Sequence, residues 1–93
     1  MKRLDLIVSE RELERLCAAL TDAGAPGYTV LCHVTGRGHG GTVSEGMEFS
    51  GVGANAHVIV FCEAAALGAI RDAVKPLLAY YGGVGFVSDA QLL

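Results

Sequence analysis

Polar and apolar residues alternate from the start of the chain. Leu4, Leu6 and Val8 fall on one side, and Asp5, Ile7 and Ser9 on the other. A period of two is that of a strand. Ser9 then opens Ser-Glu-Arg-Glu, the pattern of a capping box, in which Glu12 answers the Ser9 hydroxyl at a helix start. The period changes to three and four: Leu13, Leu16, Cys17 and Leu20 make one stripe, with Glu10, Arg11, Glu14 and Arg15 outside it. This helix is predicted to end near Ala23–Gly24, because Gly24 suits a C-terminal cap and Pro26 cannot continue the helix.

A second alternation follows, with Tyr28, Val30, Cys32 and Val34 on one face and Thr29, Leu31, His33 and Thr35 on the other. A third places Ala56, Val58, Val60 and Cys62 opposite His57, Ile59 and Phe61. Leu67, Ile70, Val74, Leu77 and Tyr81 then return to helical spacing. Pro76 inside that pattern predicts a kink, or a break near Lys75 with a short helix restarting. Gly82-Gly83 turns the chain into a last strand, VGFVSDA.

The order β-α-β-β-α-β predicts an α+β, ferredoxin-like domain over residues 1–93, a four-stranded antiparallel sheet with both helices on one face. The other face would carry Ile7, Ile59 and Phe61, or their alternates, and needs a cover; a homo-oligomer is the simplest. One connection does not fit the compactness of the rest. Between strands two and three lies GRGHGGTVSEGMEFSGVG, residues 36–53, which holds seven of the thirteen glycines. Connections beyond about 12–15 residues are usually functional or disordered, so this segment is expected to be flexible and to meet a ligand or partner.

Charge narrows the partners. The net charge is −3, from seven Lys and Arg against ten Asp and Glu, and the cations are scattered, so nucleic acid is not an expected partner. No apolar run reaches the length of a membrane span, and MKRLDLIVSE lacks the apolar core of a signal peptide. The expectation is a cytoplasmic protein that is not membrane-inserted. Cys17, Cys32 and Cys62 sit in apolar patterns and are expected as small buried side chains rather than a disulfide or zinc site.

Candidate chemistry concentrates in the glycine-rich segment. Glycines let successive N–H groups converge on an anion, and Arg37 could add a bidentate contact. By itself the spacing favours a loop whose glycines merely tolerate disorder. His39 could meet a phosphate or a metal, or face solvent without a role. His33 and His57 flank the segment and could lie near one another, but no metal-ligand spacing accompanies them. No nucleophile elbow or carboxylate pair signals catalysis, so an enzyme is not expected. Asp5 and Asp89 read as polar positions at a subunit contact. Val43, Met47 and Phe49, apolar within a polar stretch, suit folding onto a partner.

The MKRLDLIV opening strand, the AGAPGYTV lead-in to the second strand, the G-R-G-H-G turn and the KPLLAYYGGVGFVSDAQLL ending together resemble the PII signal-transduction superfamily, in its divergent PII-like branch. The resemblance spans nearly the whole chain. It implies the ferredoxin-like fold, a homotrimer with its sheets facing inward, and an adenine nucleotide as effector in each cleft between subunits, with no cofactor required. By position, Ile7, Gly27, Tyr28 and Thr29 would line the base pocket. Gly36, Arg37, Gly38 and His39 would form the loop base at the phosphates, with Gly82 and Gly83 as a second phosphate-side turn. Residues 42–53 would contact a target protein such as a membrane transporter, for example one for bicarbonate.

The chain also departs from the family pattern. YYGG stands where PII proteins carry a Gly-Asp-Gly-Lys turn, VSDAQLL replaces a basic strand, and the modification signatures of the nitrogen regulators are missing. The reduced charge favours AMP, ADP or cyclic AMP over ATP with 2-oxoglutarate, or a small anion such as bicarbonate. Two other readings stay open: a metal-ion-responsive trimer resembling the divalent-cation tolerance proteins, through His33 or His39, and a structural interaction module with a vestigial site.

Overall fold

The computed structural model describes residues 1–38, 41–42 and 54–93, with Arg37, Gly38, Gly41 and Thr42 described by their backbone. His39 and the expected partner-facing stretch from residue 43 to residue 53 lie outside the described residues. Four long strands, β1 (Lys2–Ser9), β2 (Thr29–Val34), β5 (Asn55–Cys62) and β6 (Val84–Asp89), form one sheet in the order β2-β5-β1-β6. Every neighbouring pair is antiparallel. Helices α1 (Leu13–Asp22) and α2 (Ala64–Tyr81) complete the predicted ferredoxin-like arrangement. Two short strands, β3 (Arg37–Gly38) and β4 (Gly41–Thr42), form a separate antiparallel pair that the glycine spacing did not predict.

The period-two pattern sets the layers. Leu4 pairs with Val60, Leu6 with Val58 and Val8 with Ala56, all on the buried face. Leu16 and Leu20 of α1 and Ile70 and Val74 of α2 pack into the same cluster, so both helices cover that one face. Leu16, Leu20, Ile70, Val58 and Val60 are almost wholly enclosed. Each contributes about 1.5–3 kcal/mol through apolar burial. The opposite face carries Asp5, Ile7, His57, Ile59, Val84 and Phe86.

Helix α1 ends as predicted. Ala25 N–H reaches the Leu20 carbonyl at 2.9 Å and Gly24 N–H the Thr21 carbonyl at 3.1 Å, while Gly24 adopts φ +93°. These two bonds make a Schellman cap, and its left-handed position explains the glycine. The start of the helix differs from the capping-box expectation. Glu10–Glu12 form a 3₁₀ turn ahead of α1, and the Ser9 hydroxyl accepts from Arg11 N–H at 3.3 Å rather than from Glu12. The Glu12 carboxylate lies 3.6 Å from Arg15 instead. The tighter turn brings the N–H two residues on, not three, within reach of the cap.

Two further expectations are corrected. Helix α2 runs through Pro76 without the break near Lys75, because Ile70 and Val74 before it, and Leu77 and Leu78 after it, all pack on the core. In β2 the alternation changes phase. Leu31 opposes His57, yet Val34 opposes Asn55, so β2 takes three steps where β5 takes two. The extra residue is absorbed at His33, which adopts φ +59°. This bulge turns Val34 to the His57 face, away from the Val30 side on which simple alternation places it. Of the three cysteines only Cys62 is buried; Cys17 is half-buried and Cys32 exposed.

Candidate functional site

One residue from each strand forms a row across the open face: Leu31, His57, Ile7 and Val84, in the order β2, β5, β1, β6. The turn before β6 packs tightly on β1 and α2, against the Ile7 carbonyl and the Val8 and Leu78 side chains. A Cβ on Gly83 would lie 2.8 Å from the Ile7 carbonyl oxygen and 3.0 Å from the Val8 side chain, and Gly83 has φ +122°. Gly82 also has a left-handed φ, +89°. Only glycine accommodates both conditions at Gly83, and the result seats the Gly82–Gly83 turn against Ile7 of β1, the strand next to the β6 edge.

The other predicted residues lie at the opposite edge. Gly27 and Tyr28 are exposed in the lead-in to β2, and Thr29 opens that strand opposite Ile59. Gly36 follows the end of β2 and leads into the Arg37–Gly38 strand, where Arg37 opposes Thr42 and Gly38 opposes Gly41. Strands β5 and β1 separate β2 from β6. At the usual strand spacing the two edges stand about 14 Å apart. The clefts follow the same division. An open groove between α1 and β2 is lined by Tyr28, Cys17 and Cys32. A cavity of about 200 Å³ between α2 and β6 is lined by Leu67, Val74, Gly85 and Val87, with Arg71 and Lys75. Neither cleft holds residues from both halves of the predicted site.

Charged groups that sequence reasoning did not connect meet on the open face and at the end of β2. Arg3 Nη2 lies 2.9 Å from Asp5 Oδ1 and its Nε 3.0 Å from Oδ2, a two-point grip on the carboxylate. His57 Nε2 sits 2.8 Å from Asp5 Oδ1 on the neighbouring strand. The Arg3 hydrogen bond, with His57 adding to it and desolvation opposing, holds the Asp5 carboxyl below its usual range. Arg3 also lies 5.7 Å from the centre of the Phe61 ring. The one signal in the sequence was polarity: Asp5 and His57 interrupt a face otherwise set by Ile7, Ile59 and Phe86.

His33 has a different partner. Its N–H donates to Glu10 Oε2 at 2.6 Å, and its Nδ1 is 3.1 Å from the same oxygen. The two strand histidines thus serve separate carboxylates. Among the described residues no three His, Cys, Asp or Glu side chains converge as a metal site. The Tyr28 hydroxyl is held above its ordinary range by the Cys17 thiol beside it. Lys2 and Asp89 form an exposed ion pair at 2.6 Å.

The whole chain, residues 1–93, matches the family model of the nitrogen regulatory protein P-II. The chain belongs to the P-II family. Among curated proteins none matches the sequence. Solved structures extend the likeness. CPII from Thiomonas intermedia K12, a nitrogen regulatory PII-like protein bound to ADP, AMP and bicarbonate, superposes with a TM-score of 0.87 at 26% identity, over 98% of this chain and 86% of that one. CPII bound to ADP and bicarbonate gives 0.84 at 25% identity over the same shares. A PII-like signalling protein of Thermus thermophilus shares the fold, with a TM-score of 0.67 at 18% identity over 94% of this chain and 82% of the other. These matches agree with the fold and family expected from the strand patterns and motifs.

Proposed function

We propose that this P-II family member is a non-catalytic regulator that binds an adenine nucleotide carrying few phosphates in clefts between the subunits of a homotrimer. The observation that carries this reading is the ADP, AMP and bicarbonate bound by CPII, whose fold covers 98% of this chain. The division of the predicted residues between opposite sheet edges supports it. Thr29 and the Gly82–Gly83 turn lie at opposite edge strands, so Tyr28 and Thr29 of one copy would meet Gly82 and Gly83 of a second copy, and the complete site would need an oligomer.

Sequence chemistry selects the ligand. Arg37 is the only fixed cation in Gly36–Gly41, and no basic residue replaces the lysine of the second turn at Tyr80–Gly83. One guanidinium and a few backbone amides suit one or two phosphates better than three. ADP, AMP and cyclic AMP therefore rank above ATP, and bicarbonate is a candidate second effector. The regulator works in the cytoplasm, and residues 42–53 present the ligand state to a target such as a bicarbonate transporter. Effector binding shifts the populations of target-competent and incompetent forms by its differential affinity for the two.

Calorimetric titration with AMP, ADP, ATP and cyclic AMP, each with and without bicarbonate, tests the reading. ADP or AMP should bind more tightly than ATP, and no binding by any of them at millimolar concentration would overturn the proposal. Arg37→Ala should weaken ADP about tenfold, the loss of a charge-assisted contact; an unchanged affinity would remove Arg37 from the site.

A further inference from the structure

Glu10 joins the two chain segments that flank the glycine-rich connection. Its backbone N–H donates to the carbonyl of Ala54, just ahead of β5, at 2.9 Å. Its carboxylate accepts the N–H of His33, at the end of β2, at 2.6 Å and lies 3.1 Å from His33 Nδ1. Glu10 itself opens the 3₁₀ turn that continues into α1, whose Leu16 and Leu20 are locked in the core. One residue thus ties the end of β2, the start of β5 and the start of a core helix.

Two features show that the contact holds its partners rather than merely touching them. His33 is the one non-glycine residue with positive φ among the described residues. A side chain in that region persists only where the surroundings over-determine it. The Glu10 side chain is only 20% exposed, while the His33 side chain is 77% exposed. The shielded carboxylate therefore serves chiefly the main chain of the bulge. Beyond that bulge β2 keeps a single registered position, Val34 against Asn55. Glu10 adds a second tie just ahead of Thr35 and Gly36.

We propose that Glu10 is a positioning residue of the effector site, clasping both flanking segments so that Gly36 and Arg37 start from a fixed point. This rests on the nucleotide reading above. Hydrogen exchange at the His33 and Glu10 amides and ADP titration, both on the full chain, test it with Glu10→Ala and Glu10→Gln. In Glu10→Ala, His33 exchange should rise about tenfold and ADP affinity should fall about tenfold, the loss expected for a hydrogen bond to a charged acceptor. Glu10→Gln keeps an acceptor oxygen in place and should restore both to within about threefold. Unchanged exchange in Glu10→Ala would overturn the clasp. Accelerated exchange with unchanged ADP affinity would overturn the positioning role, and a Gln variant as poor as the Ala variant would replace it with a purely electrostatic one. Absence of ADP binding by the unaltered protein would defeat the nucleotide reading, and with it the effector-site role, while exchange would still decide the clasp.

Discussion

Asp5 shows how one side chain sets a pH limit. Its folded carboxyl titrates below its usual range, chiefly because Arg3 donates to it. A carboxyl depressed on folding adds stability above its unfolded value, near pH 4, and loses it as pH falls through the folded value. Asp89 is depressed in the same direction by Lys2, but it is fully exposed and its pair is screened by solvent. Urea midpoints measured from pH 7 down to pH 2 should therefore fall less steeply in Asp5→Asn, whereas Asp89→Asn should follow the parent curve. Glycines separate in a comparable way. Gly24 has a left-handed φ but open space around its Cβ position, whereas Gly83 combines φ +122° with the Ile7 carbonyl at 2.8 Å. Alanine should cost about 1 kcal/mol at Gly24 and about 3 kcal/mol or more at Gly83, read from denaturant unfolding.

At the scale of elements, the regular pieces were legible because each repeats its period over several residues. Leu4-Leu6-Val8 and Val58-Val60-Cys62 mark the buried face, and Leu13-Leu16-Leu20 the helix stripe. What escaped depends on a single residue working against a local rule. The bulge at His33 has no glycine to announce it, and it turns Val34 over. The capping box failed because the chain enters α1 through a 3₁₀ turn, which no residue in Ser-Glu-Arg-Glu specifies. The rule broken at Pro76 was overridden by packing on both sides of the proline. Since Pro76 is exposed and lacks the N–H that would reach Asp72, Pro76→Ala should stabilise the chain by about 1–2 kcal/mol in thermal or urea unfolding. The proposed site residues rest on family likeness alone; the Glu10 contacts escaped the sequence because its partners, His33 and Ala54, come from two distant parts of the chain.

At the scale of the whole molecule, the open sheet face combines Ile7, Ile59, Phe61, Val84 and Phe86 with the Arg3–Asp5–His57 cluster. Phe61 is 44% exposed and Phe86 60%. Such a face suits burial against other copies, with the charged cluster restricting how they align. Phe86→Asp should convert the proposed trimer to monomers, measured by light scattering at micromolar concentration, and should lose ADP binding with it. An assembly unaffected by this change would place the contact elsewhere.

The strand order β2-β5-β1-β6 has a consequence for mixtures of subunits. If every cleft takes its base-pocket edge from one copy and its glycine turn from the next, a chain damaged at one edge spoils only the cleft that edge serves and still lends its sound edge to the cleft on its other side. Two variants, one defective at Tyr28 and the other at Gly83, would each be silent alone. In a mixed ring, one junction would bring together the sound edge of each. Such an assembly inherits partial function from parents that have none.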